Sequence, residues 1–193
     1  MEQVKIKNRL FEIEKIIRDD IFVGQYKGKK YFIRKYDPKS DDGRNLAFCT
    51  KILSSTGVPF PKVYFIDKKL GYTVCEYLEG ENLVDVIGKD TIPESILEQV
   101  FNASFMAKVA RVTLCYEPDK FMVSNGKLFY VYPNFIKYDA EKDFVKRYLR
   151  LWFDTKELEQ YLKKFGIIMA KTRLKNEYLT NKEMVLATVK YYK

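Results

Sequence analysis

CYEPDKFMVSNGKLFYVYPNF, Cys115 to Phe135, reads as a loop, a strand, a tight Asn125-Gly126 turn and a second strand. What surrounds it is helical. Upstream, Thr91 and Glu94 have the spacing of a capping box and open a pattern running from Pro93 to about Val112. ENLVDVI, Glu81 to Ile87, reads as a shorter helix before it. Downstream, EKDFVKRYLRLWF puts Phe144, Tyr148, Leu151 and Trp152 on one helical face. KELEQYLKKFGIIMAKTRL reads as a second helix, and Thr180 with Glu183 as the capping box of a last one.

The N-terminal part has a different period. RLFEIEKI, Arg9 to Ile16, alternates apolar and charged residues as a half-buried strand does. Asp20 to Tyr36 holds two β-rich runs around Lys27-Gly28-Lys29, a hairpin pattern. Residues 37–45, DPKSDDGRN, carry loop chemistry. LAFCTKILSS then supports one helix with Leu46, Cys49, Ile52 and Leu53 on one face, stopped by Gly57. A strand from Val63 to Ile66, a turn at residues 68–71 and the strand YTVCEYL, Tyr72 to Leu78, complete this part. The plan is α+β: a β-rich region over residues 1–78 with one helix, then a mainly helical region over 79–193 with one hairpin.

Composition narrows the chemistry. The 193 residues suffice for one domain with a core or two small lobes. The net charge of +9 favours an acidic partner such as nucleic acid, a nucleotide, an anionic membrane or an acidic protein, or else describes a solvated basic surface. From Glu141 to Lys193 there are 13 Lys or Arg against 7 Asp or Glu, an excess of 6, with Tyr178, Tyr191 and Tyr192 among them. If exposed, those tyrosines would stack on bases. Cys49, Cys75 and Cys115 are sparse and unpaired in spacing, as reduced thiols of a cytoplasmic protein are. The charged start MEQVKIKNRLFEIEKI carries no expected signal peptide or membrane helix. The absence of histidine excludes Ser-His-Asp and Cys-His catalysis and histidine-ligated metals.

This succession, from about Ile21 to Asp139, resembles the protein-kinase-like superfamily, and in particular its small atypical members: the kinase subunit of the KEOPS complex, the RIO kinases and, further off, aminoglycoside phosphotransferases. YFIRKY looks like the third strand of the small lobe and puts Lys35 at the phosphate-binding lysine. Gly57 to Tyr64 is similar to the segment leading into the fourth strand, and VCEYLEGENLVDVI looks like the hinge. There the carbonyl of Glu76 and the amide of Leu78 would face adenine. PDKFMVSNGKLFYVY is similar to the catalytic loop and the hairpin leading to the metal-binding acid. The resemblance implies a bilobal fold, an antiparallel N-lobe with one helix and a reduced helical C-lobe.

The same alignment removes the chemistry. The family's His-Gly-Asp falls on Thr113, Leu114 and Cys115, its Asn on Lys120, and its final Asp on Tyr132. A mostly neutral thiol is a poor substitute for the aspartate that handles the substrate proton. Lysine repels magnesium and a tyrosine phenol (pKa ~10) stays neutral. The helix, read from Asn45 to Ser55, has no acid to pair with Lys35, leaving only Asp41 and Asp42 in the loop before it. The phosphate-covering loop would be IIRDD, Ile16 to Asp20, whose carboxylates would repel phosphate. ATP is the one cofactor left open, and magnesium is not expected.

The expected function is that of a pseudokinase-like scaffold with a protein partner. Two alternatives stay open: an atypical phosphotransferase using Lys35 with Asp139 or Glu117, and a basic RNA-binding module. Lys120 could serve as counter-charge to a metal-free nucleotide, or be a surface lysine. Asp139 could serve as a displaced metal ligand, or cap the helix that follows it. Nothing in the sequence specifies the oligomeric state.

Overall fold

Six antiparallel strands curl around one apolar cluster. In the computed structural model, which describes residues 2–169, 173, 186 and 188–191, these are β1 (Gln3–Ile6), β2 (Arg9–Arg18), β3 (Ile21–Tyr26), β4 (Lys29–Lys35), β5 (Val63–Asp67) and β6 (Tyr72–Glu76). Their order is β1-β2-β3-β4-β6-β5. The chain divides into two compact units, Met1–Thr56 with Phe60–Glu79, and Gly57–Pro59 with Gly80–Lys193. This sheet belongs to the first. Ile6, Phe11, Phe22, Tyr31, Ile33 and Val74 form its core. The architecture is α+β, as the sequence reads.

The single strand read at Arg9–Ile16 is half of a hairpin. β1 pairs with β2 from Gln3↔Glu12 to Ile6↔Arg9. The turn uses Lys7 at φ 53° rather than a glycine, so no turn dipeptide announces it. Leu10 is exposed on the face opposite the buried Phe11, and register shifts at Ile13/Lys15 and Ile16/Arg18 then break the alternation, leaving Ile16 and Ile17 exposed as well.

The helix of this unit, α1, is Asp41–Leu53 and begins five residues before the expected Leu46. Ser40 caps it, its Oγ accepting from the Gly43 amide at 3.0 Å. Asp41 and Asp42 therefore occupy the first turn, where the helix dipole favours acids, rather than a loop. Gly43 is required by crowding. A Cβ there would lie 1.9 Å from the Asp37 carbonyl oxygen. Helix propensity alone makes Gly43→Ala stabilising by about 1 kcal/mol. The clash instead makes it destabilising, by about 2 kcal/mol or more, and the sign of the change in urea midpoint decides between them.

In the second unit, β7 (Glu81–Asn82) leads into α2 (Leu83–Lys89) and α3 (Glu94–Val109). The capping box read at Thr91 and Glu94 does not form. Pro93 is the N-cap of α3 and makes no side-chain cap bond. The Thr91 hydroxyl instead donates to Asp154 at 3.4 Å, and Glu94 pairs with Lys190. α3 stops at Val109, three residues short of the expected end, where Arg111 turns to φ 58°. β8 (Val112–Thr113) follows and pairs with β11 (Ile136–Lys137).

β9 (Phe121–Ser124) and β10 (Lys127–Tyr130) form the expected hairpin, with Asn125 at φ 50° and Gly126 at φ 71°. β7 pairs with the outer side of β9. Beyond Ala140 the expected continuous helix is broken into a 3-10 turn (Ala140–Lys142), a wider π turn (Phe144–Tyr148) and another 3-10 turn (Leu149–Leu151). The changes of pitch rotate the buried face. Phe144, Leu149 and Trp152 are buried, while Tyr148 and Leu151 are half-buried.

The next helix, α4, covers only Lys156–Lys163 of the long pattern, and Gly166 at φ 71° follows its end. The capping box read at Thr180 and Glu183, with Tyr178 and Tyr192, lies outside the described residues. Tyr191 is half-buried and stacks on Phe101 at 5.1 Å, so it is not the open platform base stacking would need. Among the described residues no helix is long and apolar enough to cross a membrane.

Candidate functional site

The loop from Leu114 to Lys120 is set by the strands on either side. β8 enters it, β9 leaves it, and β11 returns beside β8. The segment after β10 is thereby brought back to the loop's start. Tyr130, the last residue of β10, holds the two together. Its hydroxyl accepts from the Cys115 amide at 3.4 Å and donates to the Asn134 carbonyl at 2.8 Å. Burial raises the Tyr130 phenol far above its ordinary range, so it remains a neutral strut.

Around this strut the structure brings together Cys115, Lys120 and Tyr132. The Lys120 ammonium is paired with Asp119, lies 3.8 Å from the Glu117 carboxylate and sits 5.1 Å from the centre of the Tyr132 ring. The Cys115 thiol donates to that same Glu117 at 3.5 Å. Burial alone would lower the Lys120 ammonium, but the hydrogen bond and charge of Asp119 outweigh it and the net direction is up. Lys120 is thus a fixed positive charge and not a solvated surface lysine.

Asp119 is held in turn. Its carboxylate accepts from the Tyr161 hydroxyl of α4, and its carbonyl accepts from Asn82 at 3.3 Å. Neither Asp119 nor Tyr130 stood out in the sequence. Their partners lie 42 and 15 residues away, and only the apolar alternation of Leu128 and Tyr130 hinted that Tyr130 points inward.

Cys115 has no base to activate it. Burial raises its thiol first, and the neighbouring Glu117 charge adds to that. Tyr148, bonded to the same thiol, is itself pushed up to about 12, chiefly by burial. The group is a neutral hydrogen-bond donor at pH 7. Asp139 does not turn toward the loop as a metal ligand. Its carboxylate caps the turn that follows, accepting from the Glu141 amide at 3.0 Å, and lies 3.3 Å from Lys142. That amide is the main reason its carboxyl is held below the usual range. Glu117 is committed to Lys120 and Cys115. Among the described residues no group of three or more Cys, Asp or Glu side chains could hold a metal ion.

The remaining sequence candidates belong to the first unit. Lys35 ends β4, exposed, with its amide donating to the Asp20 carbonyl at 2.7 Å. Among the described residues no carboxylate pairs with its ammonium, and Asp41 is taken by Arg44. The expected phosphate-covering loop is a two-residue turn, Asp19-Asp20, because β2 runs on to Arg18. Asp20 is offset by Arg18 at 3.3 Å and Arg34 at 3.9 Å, so it is less repulsive than the bare sequence implies.

β6 ends at Glu76 rather than at Leu78. The Glu76 amide donates to the Lys62 carbonyl at 2.8 Å, and its carboxylate accepts from the Lys62 amide at 3.3 Å. The half-buried Leu78 amide has no protein acceptor among the described residues.

Among the described residues, six of the nine cations of the basic C-terminal region are committed to ion pairs. Lys142, Lys146, Arg150, Lys163, Arg173 and Lys190 each hold a carboxylate. Arg173 is buried and also donates to the Asp90 carbonyl at 3.1 Å. No protein-family model matches the chain, and no curated protein sequence does.

Proposed function

We propose that the chain is a protein-kinase-like scaffold that does not transfer phosphoryl groups and acts through contacts with a protein partner. In this reading the two compact units are a β-rich small lobe and a helical large lobe. The support in the first unit is that Lys35 and the hinge-like segment lie on neighbouring strands, β4 and β6, with α1 and β5 between them in the chain. In the second, the support is a loop and hairpin drawn together by the pairing of β8 with β11.

One observation carries the loss of activity. Where the resemblance calls for a magnesium ligand, the Lys120 ammonium sits between Asp119 and Glu117 and over the Tyr132 ring. Phosphoryl transfer depends on metal ions that neutralise developing charge and on an acid that orients the nucleophile. A bound ammonium neutralises those carboxylates without accepting a phosphate oxygen into its coordination shell, and it repels a divalent cation at that distance. Residual nucleotide binding remains compatible with the Lys35 ammonium, which holds no carboxylate among the described residues, and with the Leu78 amide.

The test is calorimetric titration with ATP, with and without magnesium, alongside an ATPase assay. The expected result is no measurable turnover and an ATP affinity, if any, that magnesium does not improve. Magnesium-dependent hydrolysis or autophosphorylation that Lys35→Ala abolishes would overturn the proposal.

A further inference from the structure

The first unit carries a second feature that a kinase-like scaffold does not use. β5 has a bulge: Val63 pairs with Cys75 and Phe65 with Val74, so Tyr64 is the extra residue. Adjacent strand residues normally face opposite ways, and a bulge re-aims one of them. Tyr64 and Phe65 accordingly both pack against the same core cluster, each remaining half-buried. Tyr26, at the end of β3, joins them there.

Cations cover these rings. The sheet curls until the β1–β2 turn reaches β5, where Lys7 lies 4.8 Å and Arg9 5.0 Å from the Phe65 ring centre. Arg9 also lies over Tyr26 at 5.8 Å, with Lys27 at 5.6 Å. Lys29 and Lys62 lie over Tyr64 at 5.2 and 5.6 Å. Cation–π contacts ordinarily occur about once per 70–80 residues, whereas five cations here share three rings. Beside Lys7 a groove of about 500 Å³ opens toward Lys68 and Lys69. Its one acid, Asp67, is buried, with its carboxylate accepting from the Lys69 and Leu70 amides at 3.0 Å.

Among the described residues none of Lys7, Arg9, Lys27, Lys29, Lys62, Lys68 or Lys69 pairs with a carboxylate. The contrast with the ion-paired C-terminal region is direct. On this face, cations that hold no carboxylate among the described residues lie over flat aromatic surface.

We propose that this face of the six-stranded sheet binds single-stranded RNA, with phosphates on Lys7, Arg9 and Lys62 and unpaired bases on Tyr64 and Phe65. Charge complementarity calls for a polyanion, and the rings call for one that presents unpaired bases. An acidic peptide would leave them unused. An anionic membrane would need apolar side chains free to insert, while these are packed against the sheet. A duplex keeps its bases stacked inside, whereas unpaired RNA presents them to aromatic side chains. The exposed cation–π contacts are weaker than base stacking on the same ring, so a base can displace the side chain above it.

The experiment is fluorescence anisotropy with the full chain and a labelled 12-nucleotide RNA of mixed sequence, from 50 to 200 mM salt. Wild-type binding is expected to weaken steeply with salt. The triple variant Lys7→Glu, Arg9→Glu, Lys62→Glu is expected to bind at least tenfold more weakly, with a salt slope smaller by about 2. Tyr64→Leu, which keeps apolar bulk in the core but no stacking face, is expected to bind about tenfold more weakly with an unchanged slope. The double variant Lys108→Glu, Lys127→Glu, at exposed sites in the second unit, is expected to bind nearly as wild type. Absent or salt-insensitive binding, equal losses in the second-unit variant, or full binding by Tyr64→Leu would overturn the proposal. So would equal binding of a duplex, of DNA of the same sequence, of a polyglutamate peptide or of anionic vesicles.

Discussion

Trp152→Ala is expected to destabilise the second unit by about 3–5 kcal/mol. Trp152 is 1% exposed. Its ring meets Phe121 edge-on at 5.2 Å and Phe144 at 5.7 Å, and Phe144 continues the contact to Phe101 at 5.0 Å. Truncation therefore empties a cavity walled by other rings, which cannot collapse without losing their own edge-to-face geometry. The indole N–H adds a second cost, because it donates to the Tyr116 carbonyl at 2.8 Å in a buried setting. Without it that carbonyl loses this buried donor, at about 1 kcal/mol.

Trp152→Phe separates the two contributions. It restores most of the ring volume and none of the hydrogen bond, so it is expected to fall near the lower figure. Urea titrations followed by circular dichroism measure both. If Trp152→Ala loses less than about 1 kcal/mol, the aromatic cluster does not hold this unit together. The position also matters for the site, because Tyr116 lies between Cys115 and Glu117. A loosened Tyr116 is expected to release the Glu117–Lys120 contact along with the core.

Tyr116 shows where sequence reasoning stops. The hairpin at Asn125-Gly126 and the one at Lys27-Gly28 are legible because positive φ at a turn demands particular residues, and those residues are there. The β1–β2 hairpin is not legible, since Lys7 takes the same backbone conformation without advertising it. Ser40, Asp41 and Asp42 read as loop chemistry and as helix-cap chemistry equally well. Only the bond from Gly43 to Ser40 decides between them. The substitutions at Cys115, Lys120 and Tyr132 are plain in the sequence, but their mutual contact is not. It depends on Asp119 being held by Tyr161 and on Tyr130 spanning two loops, contacts between residues far apart in the chain whose chemistry has no period.

Stability is expected to be nearly constant from about pH 6 to 8.5 and then to fall steeply toward pH 12. The flat region follows from the absence of histidine, which leaves no side chain with an ordinary pKa near neutrality. The fall follows from buried acids that ionise late. Burial raises the Cys75 thiol from 9.0 to about 12, with Arg34 opposing it only in part. Tyr130 and Tyr161 are raised as well, in both cases chiefly by burial, and Tyr148 is raised to about 12. A thiol or phenol whose folded pKa lies above its unfolded one holds its proton longer in the folded state. Between the two values the folded chain binds more protons, so stability is full below the lower value and is lost as pH rises toward the higher.

For Cys75 that window is about pH 9 to 12, and three pH units correspond to about 4 kcal/mol. Against a total stability of roughly 5–15 kcal/mol, that loss together with the tyrosines' contribution is expected to lower the urea midpoint steeply between about pH 9 and 12. Urea midpoints measured from pH 6 to 11.5 would show a plateau and then a descent. In Cys75→Ala the descent is expected to be shallower from pH 9 onward, on top of a modest loss at neutral pH from the removed sulfur. A midpoint unchanged up to pH 11 would mean that these groups ionise as freely in the folded chain as in the unfolded one. That would contradict the burial of Cys75 between β4 and β5, where it pairs with Phe32 and Val63.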